Sequence, residues 1–305
     1  MDQPLAHYAQ VGIIHFMLWP DLASGDGPIV ETLERLAADS DFDAVEITRI
    51  NDPETRRRVR DLLATARMTA AFGAQPILLG AGLDLNAADD ADRTCAVEAV
   101  QDAIDQAYSL DAAGCAVLSG PDPGPDDRAR ATDRLVDSLK WLCDYAAQKG
   151  DMPVVLETFD RMSFGKNCLI GPSAEAADVA RRVREDFPGF GLMIDLSHLP
   201  LLDESPAEAV GAVREFLVHA HMGNCMMQDA GHEAYGDNHP RLGLPGGEND
   251  VPELTAYLSE LLAAGCLDPQ RRPILSFEVK PLAGESVEAL IAGSKRTLAR
   301  AWAAV

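Results

Sequence analysis

The sequence predicts a single-domain (β/α)8 barrel over residues 1–305, and three observations carry that expectation. Eight short runs rich in Val, Ile, Leu and Phe alternate with helix-like segments along the whole chain. The alternation leaves no linker at which to cut a second domain. Several runs in the second half end abruptly in Glu, Asp or His, as strands do when they reach a site. A doubly wound open sheet is the alternative, but no GxGxxG follows the first run.

The first strand is expected at residues 11–16 (VGIIHF), followed by a polar loop through Gly25 and Gly27 and a helix near 29–38. The second, 42–48 (FDAVEIT), alternates with period two and precedes the arginine-rich helical stretch 53–66. A third strand at 68–74 leads through a longer loop, 75–91, to a helix over 92–110. The fourth, 114–119 (GCAVLS), is separated by the turn-rich segment 120–125 from a helix over 127–148. The fifth, 153–158, runs into an irregular segment, 159–172, then a helix for which Ser173 is the expected N-cap. Strands six and seven come from the apolar runs 190–194 and 216–218, with a short helix over 205–214 between them, so their strands run parallel. In the long loop 222–250, Gly246 and Gly247 make a turn before a helix over 251–264 capped by Asn249 or Asp250. An eighth strand, 273–279, and a helix over 286–303 complete the pattern.

A formal net charge of −23 argues against a passive nucleic-acid surface, which draws on clustered Lys and Arg. So many carboxylates read as a solvated helical exterior, leaving room for a local positive pocket. The six cysteines are widely spaced without a CxxC pair, and are expected to be reduced and mostly buried. The start MDQPLAHYAQ lacks a basic and an apolar region of a signal peptide, and no run reaches the length of a membrane span, which leads us to expect a cytoplasmic protein.

In such a barrel the site lies at the C-terminal ends of the strands. Glu157 closes strand five, Asp195 strand six with His198 three residues on, His221 strand seven and Glu278 strand eight. His219 and His221 are two apart and share a face. Two Glu, one Asp and one His make a mixed oxygen and nitrogen set that suits a hard or borderline divalent ion, Mn²⁺ or Mg²⁺ before any thiolate-loving metal. One strand-end carboxylate alone would equally well cap a helix or pair with Arg, but three buried near one another without a cation would be costly. Several other residues have two readings each. His15 and Glu46 face the pocket or are satisfied rim groups; Lys280 binds a substrate oxygen or phosphate or is a loop lysine; Trp19 and Phe159 wall the pocket or pack in the core.

The motifs ETFD after strand five, IDLSH after strand six, HAHMGN after strand seven, the loop GDNHPRLGLPGGENDV and the ending FEVKP resemble the xylose isomerase-like TIM-barrel family of sugar isomerases and epimerases. The resemblance implies one divalent ion, Mn²⁺ foremost with Mg²⁺, Co²⁺ or Zn²⁺ as substitutes, held by Glu157, Asp195, His221 and Glu278. It also implies acid and base roles for Glu157 and Glu278, and substrate or second-ion contact for His198. His221 rather than His219 matches the family's HxG pattern, which leaves His219 to packing or to support of the ligands. Asp237 and His239 of GDNHP match a DxH that binds a further zinc in the related apurinic endonuclease branch. That branch also uses histidines from strands two and three, which FDAVEIT and MTAAFGA lack, so Asp237 and His239 are expected to order the loop or contact a sugar. Two departures concern the substrate: Met227 stands where free-ketose epimerases place an Arg, and a segment with Arg161, Ser163 and Lys166 replaces a second Glu after strand five.

These readings lead to three hypotheses. The first is a metal-dependent isomerase or epimerase of a sugar or polyhydroxylated carbonyl compound, working through an enediolate. The second is a lyase or dehydratase that forms the same enolate and expels a group from an oxidised sugar or glycoside. The third is a barrel that only binds. All three take a small-molecule carbohydrate and neither nucleic acid nor membrane, and the resemblance implies a homo-oligomer.

Overall fold

Eight strands pair in sequence order: β1 (Gln10–Ile14), β2 (Ala44–Ile47), β3 (Thr69–Gly73), β4 (Cys115–Leu118), β5 (Val154–Glu157), β6 (Gly191–Asp195), β7 (Leu217–Gly223) and β8 (Ile274–Glu278). Each runs parallel to the next, and β8 closes on β1 to complete a (β/α)8 barrel. This computed structural model describes residues 3–305.

The period-two pattern of the strands divides the core into two layers. Val45, Phe72, Val117, Leu156, Leu192, Ile194, Leu275 and Phe277 face outward and pack against the helices in one continuous cluster. The residues between them point inward, where Ala44, Ala71 and Ile274 form one small cluster and Ala116, Val155 and Met193 another. Two steps along from an inward residue is again inward, so Glu46, Glu157, Asp195 and Glu278 all enter the barrel above its apolar floor. His219 and His221 flank Ala220 of the outer layer and are inward by the same count.

Several helix starts carry their own capping chemistry. Asp52 accepts from Thr55 N–H at the head of helix Pro53–Ala66, and Asp89 accepts from Ala91 and Asp92 at the head of Asp90–Ser109. Ser205 and Glu208 form a reciprocal capping box for helix Pro206–Val213.

The structure departs from the sequence expectations at several ends. The first strand stops at Ile14, and His15 instead opens a short helix, His15–Leu18, where its Nε2 lies 2.8 Å from Thr32 Oγ1. The expected loop 75–91 begins with helix Gln75–Ala81, which Pro76 in its first turn favours. Ser173 is the first residue of helix Ser173–Arg184 rather than its cap, because its N–H and hydroxyl both donate to Glu204. A further short helix, His198–Leu202, follows β6. Helix Val251–Ala263 is capped at Asp250; the Asn249 amide is instead spent on the Leu196 and Gly223 carbonyls. Five cysteines are buried and Cys95 is exposed, all of them free thiols. Among the described residues no helix is long and apolar enough to cross a membrane.

Candidate metal centre and its cavity

The pairing register brings the four candidate residues to the same end of the barrel, although His221 does not close its strand as expected, since β7 runs on to Gly223. Asp195 is level with His221 across β6 and β7, and Gly223 is level with Glu278 across β7 and β8. Gly223 matters for close approach, since a side chain there would collide with the Asp195 carboxylate.

His221 is the hub of the first cluster. Its Nδ1 lies 2.7 Å from Glu278 Oε2 and 3.1 Å from Glu157 Oε1, and its Nε2 lies 3.0 Å from Glu46 Oε1. Donor atoms of Glu157, His221 and Glu278 sit within 4.8 Å of one another, an arrangement able to hold a metal ion. Burial opposes a charge on His221, yet Glu46, Glu278 and Glu157 outweigh it and hold the imidazole protonated well above its ordinary range. Asp195 is fully buried, and burial followed by the nearby Glu278 charge pushes its carboxyl above the usual carboxylate range. Ser197 donates to it through both its backbone N–H and its hydroxyl.

A second cluster lies on the far side of Asp195. His239 Nε2 is 3.0 Å from Asp237 Oδ1, His239 Nδ1 is 3.5 Å from Asp195 Oδ2, and His198 Nδ1 is 3.5 Å from Asp237 Oδ1. These are charge contacts without hydrogen-bond alignment. Both ring nitrogens of His198, both oxygens of Asp237 and Oε2 of Glu278 are buried with no hydrogen-bond partner among the described residues. Buried polar atoms without hydrogen-bond partners are costly to leave so, and the donor atoms of Asp195, His198 and His239, like those of Asp160, His198 and Asp237, lie within 4.8 Å of one another. The donor chemistry of both clusters, carboxylate oxygen with imidazole nitrogen, fits a divalent ion. Burial works against a charge on His239, but Asp237, Glu278 and Asp195 raise its pKa to about 10.

Above the clusters opens a cavity of about 240 Å³. Glu157, His221, Asp237, His239 and Glu278 form its polar side, while Phe16, Met17, Pro20, Leu79 and Phe159 form an apolar wall. Lys166 and Lys280 both reach the cavity; Lys166 Nζ lies 3.4 Å from Asp237 Oδ2. Of the residues singled out in the sequence, Glu46, Glu157, Lys166, His221, Glu278, Asp237, His239, Lys280 and Phe159 are on the cavity wall. Asp195 and His198 are fully buried behind it, His198 under the Phe159 ring at 4.7 Å between centroids. His15 and Trp19 are not on the wall, and Arg161 is paired with Glu175.

Three contributors were not read from the sequence. Gln75 donates 2.7 Å from Nε2 to Glu157 Oε2, but it lay in a stretch that read as loop. Asp160 accepts from the N–H groups of Met162, Lys166 and Asn167 and so folds the loop that carries Lys166. Ser197 supports Asp195, and no local pattern distinguishes it from a turn serine.

A family model described as a xylose isomerase-like TIM barrel matches residues 35–288. Among solved structures the chain is similar to a D-tagatose 3-epimerase-like protein, with 17% identity, a TM-score of 0.72 and coverage of 97% of this chain and 98% of that one. It is similar to a D-psicose 3-epimerase from Clostridium cellulolyticum H10, with 20% identity, a TM-score of 0.63 and coverage of 97% and 96%. An AP endonuclease, family 2, from Brucella melitensis is also similar, with 20% identity, a TM-score of 0.67 and coverage of 93% and 97%. At these identities the likeness speaks for the fold. No curated protein matches the sequence.

Proposed function

The chain belongs to the xylose isomerase-like TIM barrel family, and from that premise we propose that it is a metal-dependent isomerase or epimerase of a sugar or related polyhydroxylated carbonyl compound. The observation that carries this reading is the convergence of Glu157 and Glu278 on His221 Nδ1, at 3.1 and 2.7 Å, on the wall of a cavity. Glu157, Asp195, His221 and Glu278 would hold one divalent ion, with Mn²⁺ the best match to three carboxylates and one imidazole, and Mg²⁺, Co²⁺ or Zn²⁺ as substitutes. The cation supplies positive charge for the oxyanion that develops when a carbon beside a carbonyl loses its proton.

The two glutamates handle that proton. Gln75 ties down Glu157 Oε2 and so leaves Oε1 facing the site. Glu278 Oε2 accepts no aligned hydrogen bond, although His221 Nδ1 lies 2.7 Å away, and it keeps a lone pair for a proton. One carboxylate takes the proton from carbon, and the other returns it on the opposite face in an epimerase, or at the neighbouring carbon in an isomerase. Asp237, His239 and Lys280 on the wall are the proposed contacts to substrate oxygens, with His198 supporting Asp237 from behind.

A lyase reading keeps the same first step. The apolar wall of Phe16, Met17, Pro20 and Leu79 favours it, because a group expelled from the β-carbon could rest there. Product analysis separates the two, since isomerisation conserves mass and elimination does not.

The test is elemental analysis of protein prepared without chelators, beside an Asp195→Asn, His221→Ala double variant. About one equivalent of metal more in the parent than in the variant is expected, with mass-conserving turnover of keto-sugars by the parent. No metal in the parent after soaking with Mn²⁺ would overturn the proposal in favour of a barrel that only binds.

A further inference from the structure

Glu46 is a carboxylate inside the barrel that neither core packing nor the proton-transfer scheme accounts for. It is 2% exposed, and its Oε1 lies 2.8 Å from His219 Nε2 and 3.0 Å from His221 Nε2. β2 and β7 are not neighbours in the sheet, so this contact crosses the barrel interior. An isolated buried carboxylate would be costly. Here the two imidazoles lie against the carboxylate on the same oxygen.

A neutral imidazole has one N–H and one lone pair, and the acceptor fixed on one nitrogen decides which nitrogen offers the lone pair. We infer that Glu46 is a positioning residue: by accepting the His221 Nε2–H it turns the ring so that Nδ1 presents its lone pair to the point where Glu157 and Glu278 converge. His219 donates to the same oxygen and keeps the carboxylate from swinging away. The two rings meet edge to face, with centroids 5.1 Å apart and planes at 87°, so neither can rotate without displacing the other. Glu46 thus acts through His221 and has no bond to substrate in this scheme. The inference rests on the metal-site reading above.

The experiment measures Mn²⁺ affinity, by electron paramagnetic resonance of the free ion, in the parent, Glu46→Gln and Glu46→Leu, with near-ultraviolet circular dichroism as the check on folding. Glu46→Gln keeps an oxygen acceptor and is expected to bind within a few-fold of the parent. Glu46→Leu fills the space without an acceptor and is expected to lose roughly 10–100-fold. In the Zn²⁺-loaded parent, ¹⁵N spectra should show His221 metallated at Nδ1 and protonated at Nε2. Equal affinity in Glu46→Leu, an equal loss in both folded variants, or a parent metallated at Nε2 would overturn the inference. Should Glu46→Leu fail to fold, the Gln variant and the parent spectrum still decide. A parent that takes up no Mn²⁺ defeats the metal reading itself, which distinguishes that failure from this one.

Discussion

Glu278 and His221 meet across the β7–β8 pair, with 2.7 Å between Oε2 and Nδ1. In the absence of a cation the proton shared within this group of carboxylates belongs to the imidazole, which Glu46, Glu278 and Glu157 hold charged against the opposition of burial. A divalent ion can use Nδ1 only after that proton leaves. Metal uptake at pH 7 should therefore release about one proton per ion, and affinity should rise with pH. Titration calorimetry in buffers of different ionisation enthalpy reads the release; identical heats in all buffers would contradict it.

Glu278→Gln tests the proton-transfer role without changing volume. The amide cannot accept the substrate proton, so kcat should fall by roughly 10²–10⁴-fold while circular dichroism stays that of the parent. Turnover undiminished in this variant would remove Glu278 from the chemistry.

How much of this was readable beforehand follows from what each signal depends on. The barrel was legible because each strand is a short apolar run whose alternate residues, such as Val45 against Glu46, report a face without any tertiary information. The places of Glu157, Asp195 and Glu278 were legible for the same reason, since each ends its strand, whereas β7 runs two residues past His221. Glu46 has two readings in the sequence because its partner His219 is 173 residues away and across the barrel, a distance that period-two alternation does not address. Gln75 was passed over because helix Gln75–Ala81 is only two turns long and begins beside a proline, which at sequence level reads as a break. Ser173 shows the opposite error: a residue type suited to capping was claimed by Glu204 from another segment.

His15 gives a pH prediction with a definite sign. Burial lowers its pKa from 6.5 to about 4, so the folded protein prefers the neutral ring and the unfolded chain takes up a proton first. Its contribution to stability is present above pH 6.5, is lost as pH falls toward 4, and is constant below that. The shift corresponds to roughly 3 kcal/mol. In urea unfolding, the stability difference between the parent and His15→Gln should shrink by about that amount from pH 7 to pH 4. A difference that does not change with pH would refute it.

Gly236 takes a positive φ of 82° directly before Asp237, and a Cβ there would press into the Phe164 carbonyl oxygen. Its backbone also pairs with Met226 in an isolated antiparallel bridge. Gly236→Ala should cost roughly 1–3 kcal/mol of stability and move Asp237 away from His198. Thermal unfolding measures the first effect, and an unchanged midpoint would argue that the loop absorbs the methyl group freely.

The second cluster bears on metal stoichiometry. His198 and Asp237 are fully buried, and their orphaned atoms face one another at 3.5 Å without hydrogen-bond alignment. His239 adds a nitrogen 3.0 Å from the same Asp237 oxygen. A sugar hydroxyl could satisfy His239 from the cavity, but it has no route to His198, which lies behind Phe159. The donor atoms of Asp195, His198 and His239 lie within 4.8 Å of one another, as do those of Asp160, His198 and Asp237, so a cation at either group would satisfy His198. Saturated protein should then carry about two equivalents of Mn²⁺ or Zn²⁺, falling to about one in His198→Ala or Asp237→Ala. Loss of a whole equivalent from these variants would separate an ion site from a substrate contact, because a residue that only binds sugar leaves the metal count unchanged. One equivalent in the parent and in both variants would return Asp237 and His239 to the substrate alone.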